Sequence, residues 1–376
     1  MKKINMVDLK GQYDKIKEEI DQAILKVVES TAFINGPEVK NFQQDLEKYL
    51  GVKHVIPCAN GTDALQVSMM ALGLKPGDEV IAPSFTFVAT AEVIALLGLT
   101  PVLVDVDPHT FNIDPKAIEK AITPKTKAIV PVHLFGQCSD MDLIMDIANK
   151  HHLFVIEDNC QAIGADFISS NGSRKKAGTI GHVGCTSFFP SKNLGCYGDG
   201  GAIFTNDDQL AEKIRIVVNH GMTIRYYHDM IGVNSRLDSI QAAILKVKLK
   251  HLDEYAAARN KAASYYDSAF ANNPKLKTPV RFNKSTHVFH QYTLVTNGFD
   301  RNKLPEFLQE KGIPAMIYYP VPMHLQKAYL DPRYKDGDFP VTEKLSKSVV
   351  SLPMHTELDE EQLKHITTSV LEFVNR

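Results

Sequence analysis

The first fifty residues place apolar side chains at a helical spacing. Between residues 12 and 29 isoleucine or valine recurs every fourth position, which predicts an amphipathic helix with the stripe Ile16, Ile20, Ile24 and Val28. Residues 30–37, which end in Asn-Gly-Pro, then break this pattern. A second helix is predicted to follow Pro37 and to end at Gly51, with an apolar face formed by Val39, Phe42, Leu46 and Leu50.

Short apolar runs rich in valine and isoleucine alternate with helical stretches as far as residue 205. Four of these runs are predicted as strands: Val80–Ala82, Val102–Val104, Ala128–Val132 and Leu153–Ile156. Each intervening segment is long enough for a crossover, so the pattern predicts an α/β protein with a parallel or mostly parallel sheet and helices on both faces. Ligands of such sheets bind beyond the carboxyl ends of the strands. The polar residues after each run are therefore the candidates for chemistry.

The last 140 residues follow a different pattern. Leu237, Ile240, Ile244 and Val247 begin a helical stretch that runs toward Phe270, and we interpret it as a spine linking two domains. A strand at 292–295 and helices near 304–311 and 359–373 suggest a smaller α/β domain. We expect a large domain of residues 1–250, whose N-terminal segment can pack on the small domain, and a small domain of residues 251–376.

Composition and charge narrow the classes of function. Of the 376 residues 44% are apolar and 23% charged, which is typical of an ordinary folded protein. The formal net charge of -2, without a basic run interleaved with aromatic residues, disfavours nucleic-acid binding. Five cysteines without a Cys-x-x-Cys pair argue against a disulfide framework and a structural zinc site. No apolar run approaches the about 18 residues of a membrane span, so we expect a cytoplasmic protein without membrane or nucleic-acid partners.

Lys192 stands in the most distinctive segment of the chain. It ends the run Ser187-Phe188-Phe189-Pro190-Ser191-Lys192 and precedes the glycine-containing cluster Gly198-Asp199-Gly200-Gly201. Glycine lets the backbone approach a ligand closely. The ordinary alternative is a solvated lysine in a loop, which describes most lysines.

Two candidate binding groups lie at predicted strand and helix ends. Asp158 follows the run 153–156, where a buried acid can keep a pyridinium nitrogen protonated; the alternative is a helix cap. Asn60-Gly61-Thr62-Asp63 opens a helix whose free N–H groups and hydroxyl can bind a phosphate, although the same residues form an ordinary turn. Ser187 offers a second hydroxyl for the same phosphate.

An aromatic residue completes the set. Phe85 follows the strand predicted at 80–82 and can stack on a flat cofactor, the alternative being that it is plain core. Lysine, acid, phosphate site and aromatic ring together are the groups that pyridoxal phosphate requires. No metal site competes, because the adjacent His151 and His152 point in different directions. The chain has neither a Gly-x-Ser-x-Gly motif nor a Walker-type loop.

With these motifs the chain resembles the nucleotide-sugar aminotransferases of the DegT/StrS type almost from end to end. The resemblance rests on Asp8–Tyr13, Gly36–Val39, Asn60–Leu65, Phe85–Thr90, Glu157–Asp158 with Gln161, Ser187–Lys192, Gly198–Gly201 and Asn234–Asp238. It implies the aspartate aminotransferase type of fold, with pyridoxal phosphate as cofactor, and a homodimer whose active sites use both subunits.

The resemblance also assigns roles. It implies that Lys192 is the catalytic residue and is joined covalently to the cofactor, and that Asp158 pairs with the pyridine nitrogen. The other implied cofactor contacts are Gly61, Thr62 and Ser187 to the phosphate, Phe85 stacking on the ring, Gln161 near the ring hydroxyl, and Asn234 reaching the cofactor of the neighbouring subunit. The implied substrate contacts are Phe33, Ser191, Arg236, Tyr318, Tyr319 and His324. For Arg236 the alternative is a surface salt bridge beside Asp238.

By this resemblance the reaction is the transfer of an amino group from glutamate to a keto sugar. The nearest likeness is to enzymes that aminate C3 of UDP-linked 2-acetamido-3-keto hexoses or hexuronic acids for bacterial surface polysaccharides, including lipopolysaccharide O-antigen. Tyr318 stands where those enzymes carry histidine, and Asn159-Cys160 where small alanines are common. The alternatives are amination of dTDP-3-keto- or 4-keto-6-deoxyhexoses, a sugar dehydratase, against which Lys192 argues because those enzymes replace it by histidine, and a non-catalytic regulator.

Overall fold

The computed structural model describes residues 2–376 and begins with three helices. These are α1 (Leu9–Lys15), α2 (Lys17–Ser30) and α3 (Pro37–Leu50). The helix predicted over 12–29 is thus interrupted at Ile16, whose side chain stays buried against Ile20 and Ile244. The second predicted helix is confirmed, because Pro37 begins it and Gly51, with a φ of 66°, ends it.

Strands and helices then alternate. The chain continues through β1 (His54–Cys58), α4 (Gly61–Ala71), β2 (Glu79–Pro83), α5 (Ala89–Leu96), β3 (Thr100–Val104), α6 (Pro115–Ala121), β4 (Thr126–Ile129), α7 (Met141–His151), β5 (Phe154–Asp158), β6 (Asp166–Ile168), β7 (Arg174–Lys176), β8 (Val183–Ser187), β9 (Gly201–Thr205) and α8 (Asp208–Val217). A hairpin of β10 (Met222–Ile224) and β11 (Tyr227–His228) leads to α9 (Ser239–Leu249). The remainder comprises α10 (Leu252–Phe270), β12 (Leu276–Lys277), β13 (Tyr292–Thr296), α11 (Lys303–Glu310), α12 (Pro340–Ser348), β14 (Val349–Leu352) and α13 (Glu360–Val374).

Seven strands form the large sheet, in the order β1-β9-β8-β5-β4-β2-β3. The neighbours from β8 to β3 are parallel, and β9 runs antiparallel to both of its neighbours. The predicted mostly parallel sheet is therefore confirmed. Strands β1, β8 and β9 were not among the predicted strands. In β8 the sequence Val-Gly-Cys-Thr-Ser offers only one large apolar residue, although four of its five positions are buried.

The sheet brings the candidate chemistry to one edge. Strands β2, β5 and β8 are parallel within it, so their last residues, Pro83, Asp158 and Ser187, lie on the same side. Strand β1 has the same direction, because two antiparallel pairings separate it from β8. The N-terminus of α4, which follows β1, opens on that side as well. This is the edge where ligands of such sheets bind.

The long helix predicted from Leu237 to Phe270 is two helices. Helix α9 ends at Leu249 and α10 begins at Leu252, with His251 in a non-helical conformation between them. No glycine or proline lies at this break, so the sequence gives no local signal for it.

A second apolar core lies around α10, α13 and the antiparallel sheet β12-β13-β14. Tyr266, Tyr292 and Ile366 are fully buried in it. Ile4 from the N-terminal segment packs into the same core, and the Gln362 side chain donates a hydrogen bond to the Lys3 carbonyl. Across residues 2–376 we find no helix that combines the length and the apolar character needed to cross a membrane.

Replacement of Phe42 by alanine tests the packing between α3 and the segment after β8. The Phe42 ring is fully buried and its centroid lies 5.5 Å from that of Phe188. We expect Phe42→Ala to lower the free energy of unfolding by about 3–5 kcal/mol in urea titrations. The exposed Leu330→Ala should change it by no more than about 0.5 kcal/mol. Equal effects of the two substitutions would contradict this packing.

Candidate active site

Asp158 is a buried carboxylate at the end of β5. Its side chain is 5% exposed. One carboxylate oxygen accepts a hydrogen bond from the Thr90 hydroxyl at 3.0 Å, and the other accepts one from the Cys160 amide at 3.1 Å. No α-helix begins directly after Asp158, since residues 159–164 form turns, so the alternative of a helix cap is not realised. Both bonds fix the orientation of the carboxylate.

Thr90 was not among the predicted site residues. It lies in the first turn of α5 and is completely buried, and its hydroxyl is held 3.4 Å from that of Thr86. Both threonines follow strand β2, on the sheet edge where polar residues were expected to matter. Their position after the strand was the available signal.

A buried pair of side chains, His133 and Glu157, lies next to Asp158 at the end of β5. His133 Nε2 lies 2.8 Å from a Glu157 carboxylate oxygen, and neither side chain is exposed. The His133 Nδ1 accepts the Ser139 amide, so Nε2 carries the proton and donates to Glu157. The His133 backbone amide donates to the Asp158 carbonyl at 3.0 Å. The sequence analysis did not identify this pair, because the two residues are brought together only by neighbouring strands.

Lys192 lies on the loop of residues 188–200 between β8 and β9, called the Lys192 loop below. The residue is half-buried as a whole, and within residues 2–376 its amine makes neither a hydrogen bond nor an ion pair. Burial lowers the pKa of Lys192 below its ordinary value, and the nearby Cys160 and Asp158 oppose this shift only in part. A buried amine with a lowered pKa is the form of lysine that reacts with carbonyl carbon.

The N-terminus of α4 forms a cradle beside β8. The Asn60 side chain caps the helix by accepting the Asp63 amide at 2.8 Å. A Cβ atom added at Gly61 would lie 2.7 Å from the Ser187 Cβ and 2.9 Å from the Cys160 sulfur, so only glycine fits. The amides of the first helical turn have no intrahelical partner. Thr62 follows Gly61 in the sequence, and Ser187 lies beside Gly61 in the fold, so each can add a hydroxyl to these amides. This cradle fits a phosphate group.

The structure corrects the role expected of Phe85. Its side chain is 1% exposed, and its ring is enclosed by those of Phe111, Phe135 and Tyr319 at centroid distances of 6.3, 6.4 and 5.9 Å. The alternative, that Phe85 is core, is therefore realised. Phe87 follows the same strand, is 54% exposed, and has its ring centroid 6.3 Å from that of Tyr319. Phe87 has the open ring face that stacking requires.

Gln161 and Tyr319, predicted for cofactor and substrate, touch each other. The Gln161 side chain accepts the Phe135 amide at 2.8 Å and donates to the Tyr319 hydroxyl at 3.1 Å. Burial raises the pKa of Tyr319, so the phenol stays protonated. The Tyr318 ring centroid lies 6.0 Å from that of Tyr319. The structure thus brings these three predicted residues to the same place.

Phe33 and Arg236 also lie close together in the fold. The Phe33 carbonyl accepts the Ser239 amide at 2.9 Å, which sets the exposed Phe33 beside the segment that contains Arg236. Within the described chain Arg236 forms no ion pair with Asp238 or any other acid, so the surface salt bridge is not realised. Asn234 is exposed and its backbone bridges Asn219. Ser191 is half-buried next to Lys192.

His324 is more deeply buried than the other predicted substrate contacts. It is 1% exposed, its Nε2 lies 3.1 Å from a Glu343 carboxylate oxygen, and its ring packs edge-on against Phe339. Its Nδ1 is buried and has no hydrogen-bond partner within residues 2–376, and its contact with substrate stays a prediction.

Comparison with known proteins decides the family. The model of the DegT/DnrJ/EryC1/StrS aminotransferase family matches residues 14–371. The chain belongs to this family. It is 48% identical to the pleiotropic regulatory protein of Geobacillus stearothermophilus over 98% of both chains. It is 47% identical to the UDP-2-acetamido-2-deoxy-3-oxo-D-glucuronate aminotransferase of Pseudomonas aeruginosa, over 98% of this chain and 99% of that one.

Comparison with a solved structure confirms the fold. The structure of S. venezuelae DesV superimposes with a TM-score of 0.95 at 38% identity and covers 100% of each chain. The predicted fold, the aminotransferase class and the dependence on pyridoxal phosphate are thereby confirmed. No group of three or more histidines, cysteines or acids that could hold a metal ion occurs among the described residues.

The pH dependence of stability tests the burial of Lys192. Because its pKa is lowered in the folded state, the unfolded chain binds more protons at pH values below the ordinary 10.5, and the folded protein gains stability as pH rises through that window. In cofactor-free protein, Lys192→Met should therefore be more stable than wild type at neutral pH. The difference should shrink toward about pH 10 in urea titrations. A difference that does not change with pH would refute the burial of this amine.

Proposed function

We propose that the enzyme transfers an amino group from glutamate to the keto carbon of a UDP-linked 2-acetamido-3-keto hexose or hexuronate. The observation that carries this proposal is the unpaired Lys192 amine, whose pKa is lowered by burial, close to the buried Asp158 carboxylate. The sugar is inferred from the Pseudomonas aeruginosa relative, whose name specifies a 3-oxo-glucuronate linked to UDP. The same chemistry at a dTDP-linked 3-keto- or 4-keto-6-deoxyhexose is the alternative substrate.

The residues that would hold the cofactor lie along one edge of the large sheet. Asp158 would pair with the pyridine nitrogen, and the cradle of Gly61, Thr62 and Ser187 would bind the phosphate. Phe87 would stack on the ring in place of Phe85, and Gln161 would lie near the ring hydroxyl. When bound, pyridoxal phosphate supplies an electron sink that stabilises negative charge on the carbon attached to the amino nitrogen.

Lys192 has two tasks in this proposal. Its Nζ would hold the cofactor covalently at rest. Once displaced by the amino donor, Nζ would take the proton from the α-carbon of glutamate and, in the reverse direction, deliver a proton to the sugar carbon that receives the amine. The lowered pKa of Lys192 suits both tasks, since a neutral amine is needed as nucleophile and as base.

Substrate binding would use the groups around the opening of the site. Arg236 has no acidic partner within the described chain, so its guanidinium is free to bind the diphosphate or a uronate carboxylate. Phe33, Ser191, Tyr318 and Tyr319 would contact the sugar. Tyr318 stands where the enzymes that the sequence resembles carry histidine, so this position bears on the choice of sugar.

A homodimer is also part of the proposal. Apolar side chains are exposed around the β10–β11 hairpin and near Phe33: Ile34, Ile224, Tyr226, Tyr227 and Ile231. Contiguous exposed apolar surface marks an interaction site in most proteins. A second copy bound at this surface would let Asn234 reach the cofactor of the neighbouring subunit.

The broader setting follows from the same resemblance. We propose residues 1–250 as the large domain and 251–376 as the small domain, with the core around α10 and α13 belonging to the latter. All five cysteines are free, as expected of a cytoplasmic enzyme. The product would serve the synthesis of a bacterial surface polysaccharide such as lipopolysaccharide O-antigen.

A regulatory protein without catalysis is the second candidate, favoured by the name of the Geobacillus stearothermophilus relative. Purified protein loaded with pyridoxal phosphate separates the two. We expect its visible absorbance to change on adding glutamate. Subsequent addition of UDP-, dTDP- or GDP-linked keto sugars should restore the spectrum, fastest with the UDP-linked 3-keto sugar.

Lys192→Ala should abolish this cycle, because both the covalent link and the proton carrier are lost. We expect turnover to fall by at least about a thousandfold in steady-state assays with glutamate and the preferred sugar. Arg174→Ala, at an exposed position of the β6–β7 hairpin, is the matched control and should retain wild-type turnover. Full turnover by Lys192→Ala would exclude the proposed mechanism, and a spectrum that does not respond to glutamate in wild type would favour the regulator.

Arg236→Met tests substrate binding. A charge-assisted hydrogen bond contributes about 1.5–3 kcal/mol, so the KM for the nucleotide sugar should rise by about 10- to 100-fold with a smaller change in kcat. Arg174→Met serves again as the control for loss of one positive charge. An unchanged KM in a correctly folded Arg236→Met protein would remove Arg236 from the substrate site.

A further inference from the structure

The helix α9 carries a buried lysine that the proposed reaction does not use. Lys248 is 1% exposed, and its amine donates a 2.6 Å hydrogen bond to the Gly195 carbonyl. Within residues 2–376 no carboxylate pairs with it; the Tyr197 ring centroid lies 5.2 Å from the amine, and Cys196 and Arg259 are close enough to affect its pKa. Burying an amine without a charged partner costs free energy. Burial accordingly lowers the pKa of Lys248 to about 8.

Gln241 lies on the same face of α9. Seven residues, or about two helical turns, separate it from Lys248, which places both side chains on one side of the helix. The Gln241 side chain accepts the Tyr197 amide at 2.8 Å and donates to the Tyr197 carbonyl at 3.4 Å. A Cβ atom at Gly198 would lie 3.1 Å from the Gln241 amide nitrogen, so the loop backbone approaches the helix closely.

These contacts hold the backbone just after Lys192. Gly195 and Tyr197 are three and five residues beyond it, in a loop that is also closed by the Cys196 amide donating to the Phe188 carbonyl at 2.8 Å. A Cβ atom at Gly195 would lie 2.3 Å from the Pro190 carbonyl oxygen, so the loop has no spare space. Displacement of this segment would therefore displace Lys192.

We propose that Gln241 and Lys248 are positioning residues, which fix residues 195–197 of the Lys192 loop against α9 and thereby aim the Lys192 amine at the cofactor. This inference rests on the proposed function of Lys192. A purely space-filling role would be met equally well by apolar side chains, since buried charges can often be replaced by apolar groups without loss of stability. The two roles therefore predict different results for apolar substitutions.

The test compares Lys248→Met and Gln241→Leu with Lys246→Met. Lys246 lies on the same helix but near the surface, with its amine 3.8 Å from a Glu38 carboxylate oxygen. Each protein is loaded with pyridoxal phosphate, and the rate constant and apparent KM of the glutamate half-reaction are measured by stopped-flow absorbance. Thermal unfolding of the cofactor-free proteins reports stability.

We expect the rate constant to fall by about 10- to 100-fold in Lys248→Met and Gln241→Leu, as for other small misplacements of a reacting group. The KM for glutamate and the unfolding temperature should change little, and Lys246→Met should behave as wild type. If Lys248→Met does not fold, Gln241→Leu decides. Wild-type rates in the folded variants would overturn this inference alone, whereas a wild-type protein that does not respond to glutamate overturns the proposed function and this inference with it.

Discussion

A carboxylate and an amine share the edge of the large sheet without forming an ion pair. Burial lowers the pKa of Lys192 and the charge of Asp158 partly opposes this shift, so the two groups interact, yet the amine has no hydrogen-bond or ion-pair partner among residues 2–376. The Asp158 carboxylate is held by the Thr90 hydroxyl and the Cys160 amide, which leaves Lys192 free. A direct salt bridge would keep the lysine protonated and unreactive. Because the carboxylate and the amine are not bonded to each other, a cofactor can lie between them.

The strand order of the sheet creates this separation. Asp158 ends β5, and the Lys192 loop follows β8, the neighbour of β5 in the sheet. Parallel neighbouring strands end on the same side of a sheet. The acid at the end of β5 and the lysine in the loop after β8 therefore lie near each other. The His133–Glu157 pair lies beside the end of β5, and α9 holds the Lys192 loop through hydrogen bonds to Gly195 and Tyr197.

From the sequence, the residues that lie at the edge of the sheet could be predicted better than the contacts that their side chains make. Apolar runs followed by polar residues located Asp158 and the start of α4, because both signals are local. The Phe85 ring was predicted to stack on the cofactor but lies in the core. Strand alternation alone does not tell which of the two nearby rings, Phe85 or Phe87, remains exposed. Thr90, His133 and Lys248 were missed because their partners, Asp158, Glu157 and Gly195, are distant in sequence. The break at His251 has no breaker residue to mark it.

Mass spectrometry of the borohydride-reduced holoenzyme tests the central claim most directly. Reduction fixes a lysine to the cofactor wherever the two are covalently joined. We expect one proteolytic peptide, the one containing Lys192, to gain the mass of the reduced pyridoxyl phosphate group. Labelling of another lysine, Lys248 included, or the absence of any labelled peptide in fully loaded protein would contradict it.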